Sequence, residues 1–183
     1  ADLLHPLLKG SEISRYADLD YKYKLIFPYY LSNEEAKPIP ERELSNKYPL
    51  TYEYLRNNKS KLLKRSKTNQ DNWWLYPFPK NLTLYEKPKI LIQVLSQRGN
   101  FAIDLNGQFY FVGGGNAGGN AIQVKNDSEF EMKFLLGILN SKYCTNFVKN
   151  VGSTFRGGYY SFAKLSLSNL PVPVINKNDH ERI

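Results

Sequence analysis

A run of apolar residues between positions 134 and 148 constrains the fold more than any other feature of the chain. Apolar side chains recur there at three- and four-residue steps, at Leu135, Leu136, Ile138, Leu139, Tyr143, Phe147 and Val148. This spacing places them on one face of a helix. We therefore predict one helix through this run, with an apolar face that a β-sheet has to cover.

The next segment, 151–160, interrupts the helical pattern with glycines at 152, 157 and 158. They lie among side chains that are hydrogen-bond donors or aromatic, namely Ser153, Thr154, Phe155, Arg156, Tyr159 and Tyr160. Clustered glycines predict a loop, and its side chains favour a contact surface. We then expect a short helix or turn, followed by LPVPV at 170–174. Its prolines predict an edge strand, because proline lacks the N–H that a central strand donates.

The charge around this loop is one-sided. From Met132 to Asn178 there is no Asp or Glu, but there are six basic residues, Lys133, Lys142, Lys149, Arg156, Lys164 and Lys177. The whole chain has 25 Lys and Arg against 17 Asp and Glu, a formal net charge of +8. A polyanion is therefore the first partner to consider.

The length and composition predict a single folded domain. The chain has 183 residues, 42% hydrophobic and 14% aromatic, which is enough to bury a core. It opens at Ala1 with apolar residues and no initiator Met. We interpret 1–183 as one domain excised from a larger protein.

Cysteine and histidine are scarce. Cys144 has no partner for an internal disulfide, and His5 and His180 lie near opposite termini, so we expect no Cys/His metal site. Cys144 is expected to be a small core residue, because no base is positioned beside it. No run reaches the roughly 18 apolar residues that span a bilayer. We expect a cytoplasmic protein without membrane contact.

Three segments predict β-strands. The near-continuous apolar run KILIQVL at 89–95 is typical of a central strand. Alternation in YKYKLIFPYY at 21–30 predicts a half-buried strand, and AIQV at 121–124 predicts another. With the helices, these segments predict an α+β fold in which helices flank a mixed, twisted β-sheet.

A hairpin is predicted at 101–112. The segments FAIDL and QFYFV are joined by Asn106 and Gly107. This pair accepts the positive φ values of a tight turn. Further on, residues 126–129 read as a cap and acidic first turn of the helix that follows.

Another helix is predicted with Pro49 in its first turn and one apolar face, formed by Tyr48, Tyr52, Leu55, Leu62 and Leu63. Its end is basic, with Lys64, Arg65 and Lys67. Complementing the helix dipole on a solvated face is the favoured interpretation of this charge, slightly ahead of phosphate contact. Trp73 and Trp74, which follow, are expected to pack in the core.

Two short motifs carry little weight. Gly113, Gly115 and Gly118 match a dinucleotide-binding fingerprint, but a strand follows them where the fingerprint needs a helix. We predict a flexible hairpin loop. Glu131 and Lys133, with Asp104 or Asp127 upstream, faintly resemble a metal-dependent nuclease site, but such a pattern is common by chance.

Arg156 is the residue with the strongest functional signal. A loop arginine can simply bond local carbonyls. Its fork also matches guanine O6 and N7 or a phosphate, and the flanking glycines allow close approach. Gln97 and Arg98, at the turn after the predicted central strand, have similar chemistry and the same two interpretations.

Five segments together resemble a known family: LLKGSEISRY, YKYKLIFPYY, NLTLYEKPKILIQVLSQRGNFAIDLNGQFYF, FLLGILNSKY and FRGGYYSFAKLSLSNLPVPV. They are similar to the TaqI-like C-terminal specificity domain. The resemblance runs through nearly the whole chain. It implies a DNA target-recognition domain of a bacterial N6-adenine methyltransferase or fused restriction–modification enzyme. A separate N-terminal methyltransferase domain, absent here, would flip out the adenine.

The resemblance implies that this chain holds no cofactor of its own. AdoMet, and Mg²⁺ if DNA is also cut, would belong to the parent protein. The chain has no Asn- or Asp-Pro-Pro-Tyr/Phe motif for an adenine amino group. The glycine run at 113–119 departs from the family pattern. A metal-dependent nuclease, an AdoMet-binding fragment and a protein-docking domain remain alternatives.

Double-stranded DNA is thus the expected partner, and no catalytic or metal-binding residue is predicted. The candidate DNA-contacting residues are Arg156, Gln97, Arg98, Tyr159, Tyr160, Ser153, Thr154, Asn116, Lys164, Lys64, Arg65 and Lys67.

Overall fold

The structure, a computed structural model, describes residues 3–32, 35–111, 119–124 and 129–173, with the backbone alone at 129 and 130. Its helices are α1 (Glu41–Lys47), α2 (Pro49–Asn57), α3 (Lys59–Leu62), α4 (Glu129–Asn140), α5 (Lys142–Val151) and α6 (Lys164–Leu167). Its strands are β1 (Leu4–Leu8), β2 (Tyr23–Ile26), β3 (Tyr29–Leu31), β4 (Ala36–Pro38), β5 (Lys89–Gln93), β6 (Leu95–Ser96), β7 (Phe101–Asp104), β8 (Tyr110–Phe111), β9 (Gly119–Ile122), β10 (Thr154–Phe155) and β11 (Tyr159–Ser161). Short 3₁₀ turns occupy Gly10–Glu12 and Leu82–Leu84.

The predicted α+β class is confirmed. Within the described residues the strands form four small sheets, with the orders β2-β1-β8, β10-β11-β6, β3-β4 and β7-β5-β9. The β-structure is thus distributed over several short sheets. No helix in the described part of the chain is long and apolar enough to cross a membrane.

Contacts within the chain divide it into two compact units. The first unit comprises Ala1–Leu7, Tyr21–Lys87 and Asn106–Tyr110; the second comprises Leu8–Asp20, Pro88–Leu105 and Phe111–Ile183. The boundaries do not follow the order of the sequence, because each unit is assembled from three separate segments. The prediction of one specificity domain over 1–183 stays a prediction.

The core of the first unit is built on aromatic side chains. Trp73 is fully buried and Trp74 nearly so, and they pack with Leu44 and Leu55 from α1 and α2. The indole nitrogen of Trp74 donates to the carbonyl of Ile39 at 2.9 Å, so the ring is held by a hydrogen bond as well as by packing. The prediction that both tryptophans pack in the core is confirmed.

The helix predicted around Pro49 is divided into two helices, α2 and α3. Pro49 is indeed the first residue of α2. An additional helix, α1, precedes it, and α2 ends at Asn57. Asn58 interrupts the continuation into α3, and its side-chain amide donates to the carbonyl of Tyr54 at 2.9 Å. Asparagine competes with the helix for such backbone groups. The spacing of the apolar residues does not predict this interruption.

The second unit is centred on β5, which pairs antiparallel with β7 on one side and β9 on the other. The predicted central strand at 89–95 is confirmed over Lys89–Gln93, whereas Leu95 belongs to β6 in a different sheet. The strand predicted at 121–124 is present as β9, which begins and ends two residues earlier. Ile90 and Ile92 lie in one apolar cluster with Phe101, Met132 and Leu139. Since α4 packs against β5 and β7, its apolar face is covered by a sheet, as expected.

The single helix predicted over 134–148 is wrong, because the chain breaks at Ser141 between α4 and α5. Ser141 has extended backbone angles, and its hydroxyl accepts a hydrogen bond from the Cys144 amide at 3.3 Å. It therefore caps the new helix. Cys144 is fully buried in α5, as expected of a small core residue.

The predicted hairpin at 101–112 is also wrong. β7 pairs with β5, whereas β8 belongs to the sheet with β1 and β2. Gly107 does adopt a positive φ of 62°, so the turn forms. A Cβ on Gly107 would clash with the backbone of Glu86, so the turn is closely packed and the outgoing chain joins a different sheet.

A hairpin of β10 and β11 occupies the segment predicted as a loop at 151–160. The short helix expected after it is confirmed as α6. Residues 170–173 form no strand, so the described part of the predicted LPVPV edge strand is irregular. Two prolines in four residues remove the amides a ladder would use. The predicted glycine loop at 113–118 and the predicted cap at 126–128 lie outside the described residues.

Candidate nucleic-acid interface

The candidate interface is the small sheet β10-β11-β6 of the second unit. β11 pairs antiparallel with β10 and with β6, placing Tyr160 opposite both Thr154 and Ser96. The connection between β10 and β11 consists of Arg156, Gly157 and Gly158. Both glycines have positive φ, 78° and 74°, a conformation that costs other residues energy. The sequence thus places its glycines where this tight turn requires them.

Arg156 is exposed at the tip of this hairpin. Within the described residues it makes no hydrogen bond or ion pair. Phe155 and Tyr159 are cross-strand partners beside it and are 37% and 41% exposed. The tip therefore presents a guanidinium fork next to two accessible aromatic rings, groups that suit phosphates and nucleobases.

Gln97 links the hairpin tip to the turn after β6. Its side-chain amide Nε2 donates to the carbonyl of Gly157 at 3.0 Å, although the two residues are 60 positions apart in sequence. Arg98, next to it, is exposed. The structure thus brings together two groups of residues that the sequence analysis proposed separately.

The turn that carries Gln97 and Arg98 is held in place by hydrogen bonds of its neighbouring residues. The amide of Gly99 donates to Oγ1 of Thr145 on α5 at 3.1 Å, and the Ser96 hydroxyl donates to the carbonyl of Arg98. A Cβ on Gly99 would clash with the carbonyl of Leu139. The turn is held against both helices, so its exposed side chains project from a fixed backbone.

The remaining predicted residues of this unit lie on or beside the sheet. Ser153 and Thr154 are exposed, and the carbonyl of Ser153 accepts a hydrogen bond from the Ser161 amide at 3.2 Å. Tyr160 is half-buried, and the Nζ of Lys149 lies 5.6 Å from its ring centroid. Lys164 is the first residue of α6.

The three basic residues after α3 belong to the first unit. Lys64 is exposed. Lys67 has a positive φ of 58°, and its Nζ lies 4.6 Å from the centroid of the Phe78 ring. Asn116 lies outside the described residues. The assignment of Lys64, Arg65, Lys67 and Asn116 to DNA contact stays a prediction.

The side chain of Arg65 makes several hydrogen bonds within the protein that its sequence context did not indicate. Its Nη2 donates to the carbonyls of Trp73 and Leu75 at 2.7 and 3.1 Å, and its Nε donates to Leu62 at 2.9 Å. Partial burial lowers the pKa of this guanidinium. These bonds tie the end of α3 to the tryptophan segment, which is a structural role and competes with phosphate contact.

The nuclease-like pattern has no geometric support among the described residues, and Asp127 lies outside them. The carboxylate of Asp104 is buried and ion-paired with Lys89 at 2.7 Å. Among the residues with described side chains, no three His, Cys, Asp or Glu cluster closely enough to hold a metal ion.

Sequence reasoning missed two residues of this region. Thr145 supports the Gln97 turn, and a threonine inside a helical pattern gives no signal of that role. Lys149 lies beside the hairpin sheet. Its position in the acid-free basic segment that begins at Met132 could have identified it from the sequence as a candidate.

The family is established by comparison with known proteins. The model of the TaqI-like C-terminal specificity domain matches residues 5–172. Because this match covers most of the chain, the chain belongs to that family.

A curated relative is the type II restriction enzyme and methyltransferase RM.Eco57I of Escherichia coli, with 26% identity over 171 residues. The alignment covers 90% of this chain and 17% of that protein. The chain therefore corresponds to a small part of a much longer relative, and both the family and the relative belong to restriction–modification systems.

Proposed function

We propose that this chain binds double-stranded DNA sequence-specifically, as the target-recognition domain of a bacterial restriction–modification enzyme. The observation that carries the proposal is the contact between Gln97 and Gly157. It joins the Arg156 tip and the Gln97–Arg98 turn into one exposed surface on a fixed backbone.

In this proposal the hairpin tip enters the major groove. A hairpin is narrow enough for that groove, which is about 12 Å wide. Arg156 can then donate both arms of its fork to O6 and N7 of a guanine. Arg98 is the second candidate for base contact. Gln97 uses one N–H of its Nε2 on Gly157, so its Oε1 acceptor and its second N–H remain available to a base.

The aromatic side chains have a supporting role in this surface. Phe155 and Tyr159 flank Arg156, and their rings can pack against sugars or thymine methyl groups. Exposed Ser153 and Thr154, together with Lys164, supply donors for phosphates, which fix the position of the domain on the duplex without reading sequence.

We further propose that the parent protein supplies the chemistry. A separate methyltransferase domain of the same polypeptide would bind AdoMet and methylate adenine at N6, and any cleavage would use Mg²⁺ held there. Support comes from the Escherichia coli relative, a type II restriction enzyme and methyltransferase of which this chain matches 17%. The chain itself would hold the DNA and transfer no methyl group.

The first test measures binding of the 183-residue chain to duplex DNA as salt is raised. If the chain neutralises about four phosphates, log K should fall with log salt with a slope of roughly −3 to −4. Duplexes selected from a random pool by the parent protein would supply the cognate site. A binding constant that does not change with salt would refute DNA contact.

A second test addresses catalysis. The purified chain is incubated with DNA, AdoMet and Mg²⁺, and the products are examined for methylation and strand cleavage. We expect neither product above a blank preparation. Either product would favour the enzyme alternatives over a recognition domain.

A further inference from the structure

The outward face of α5 carries a row of cationic and amide side chains. Lys142, Asn146 and Lys149 are all exposed and follow each other at steps of four and three residues. This spacing puts them on one side of the helix. The buried residues Cys144 and Val148 lie on the opposite side, so the row points away from the core.

Neither complementation of the helix dipole nor ion pairing within the protein explains the whole row. A lysine in the last turn, such as Lys149, complements the helix dipole. Lys142, however, is the first residue of α5, where the positive end of the dipole disfavours a cation, and the first turn has no acidic residue. Ion pairing does not account for the row either, because neither lysine has a salt-bridge partner among the described residues.

The row is also connected to the candidate interface. Lys149 lies over the ring of Tyr160, 5.6 Å from its centroid, and Tyr160 pairs with Thr154 in the hairpin sheet. The helix also carries Thr145, which holds the Gln97 turn. A duplex engaged by the hairpin would therefore have a phosphate strand within reach of this helix.

We propose that Lys142, Asn146 and Lys149 form a phosphate-binding row that contacts one strand of the duplex. This inference rests on the proposed DNA-binding function. From Lys142 to Lys149 the helix rises about 10.5 Å, which corresponds to about three nucleotide steps of 3.4 Å along the duplex axis. The row can therefore reach neighbouring phosphates of one strand, and it contributes equally for every sequence.

The test compares two charge-matched double variants of the 183-residue chain. Lys142→Gln with Lys149→Gln removes the cations of the row. Lys37→Gln with Lys47→Gln removes the same charge from two exposed lysines that face Glu35 and Glu43. Affinity for a duplex of scrambled sequence is measured between about 50 and 200 mM salt.

We expect the row variant to reduce the steepness of the salt slope by roughly 1.8, because each lost phosphate contact removes about 0.9, while the control keeps the wild-type slope. A gain-of-function variant, Asn146→Lys, should steepen the slope by about 0.9. Asn57→Lys, at an exposed site on α2, should not. Circular dichroism and thermal unfolding check that every variant is folded.

The outcomes separate the two proposals. If the wild-type chain binds with a steep salt slope and the row variant behaves like the control, the phosphate row is wrong and the DNA-binding function stands. If the wild-type chain does not bind DNA, both fall. A change in slope for the row variant alone supports both.

Discussion

The Nζ of Lys89 lies 2.7 Å from Oδ2 of Asp104, and the two residues face each other directly across β5 and β7. Their side chains are only 1% and 2% exposed. The pair therefore lies within the central sheet of the second unit, where solvent cannot compensate either charge.

Removing one member of this pair should be far more costly than removing both. Lys89→Met removes the ammonium group that is ion-paired with the buried Asp104 carboxylate, and we expect a loss of about 3–5 kcal/mol in the free energy of unfolding. The double variant Lys89→Met with Asp104→Leu should recover most of that loss. Denaturant unfolding of the three proteins measures both effects. Equal destabilisation by the single and the double change would contradict this account.

Arg156→Ala should weaken binding without affecting the fold. The side chain is exposed and, within the described part, unbonded. If it reads a guanine, its loss costs about 1–3 kcal/mol on the cognate duplex and much less on scrambled DNA. Arg156→Lys keeps the charge but loses the fork, so it should show most of the same loss. Equal losses on both duplexes would exclude base reading by this residue, and Gln97 and Arg98 would become the next candidates.

Two glycine-to-alanine changes in the second unit should have opposite signs. Gly158 has a φ of 74° and open space around its Cβ position, so alanine there suffers only the backbone strain, about 1 kcal/mol or somewhat more. Gly137 is exposed on α4, also with open space. Alanine there should stabilise the helix by about 0.5–1 kcal/mol. Thermal or denaturant unfolding gives both values, and a neutral Gly158→Ala would contradict the observed turn conformation.

Variants of Arg65 and Lys64 distinguish a structural role within the protein from contact with DNA phosphates. Arg65→Ala removes the side-chain donor of the Trp73 and Leu75 carbonyls, whereas the Leu62 carbonyl keeps its bond from the backbone amide of residue 65. We expect about 1–3 kcal/mol of destabilisation. Lys64→Ala, at an exposed position, should be close to neutral in unfolding experiments. Both variants are then titrated with DNA. A phosphate contact by either residue appears as a salt slope that is less steep by about 0.9.

The thiol of Cys144 should react slowly in the folded protein. Burial raises its pKa to about 11, so the reactive thiolate is scarce at neutral pH and forms in the native state only in strongly alkaline solution. The pKa of the unfolded thiol is lower, so native stability should decrease as pH rises towards that value of about 11. The rate of modification by a disulfide reagent, with and without denaturant, checks the first point. Rapid reaction of the native protein would place the thiol at the surface.

Local sequence patterns determined much of this architecture. The apolar run at 89–95 identified the central strand β5, because a strand covered on both faces needs apolar side chains throughout. The burial of Trp73, Trp74 and Cys144 followed from their size and apolar character. The acid-free segment from Met132 identified the region that carries the candidate interface, because the net charge of a segment can be read from its sequence alone.

Tertiary structure alone decided how distant segments pair. The Asn106-Gly107 turn formed as its dihedral preferences require, yet β7 and β8 joined different sheets. A turn sets only the local chain direction, whereas the partner of each strand depends on which faces must be buried. Ser141 likewise ended α4 by capping α5 within a continuous apolar pattern.

The candidate interface depends most on these long-range decisions. Arg156, Gln97 and Arg98 were each proposed from local chemistry, but only the pairing of β11 with β6 brings them together. The same holds for Arg65, whose sequence context suggests a solvated charge. Its guanidinium instead finds backbone carbonyls of residues 73 and 75, because buried polar groups of the backbone must be paired. Side-chain type determines which bonds a residue can make, and the assembled fold determines which partner is within reach.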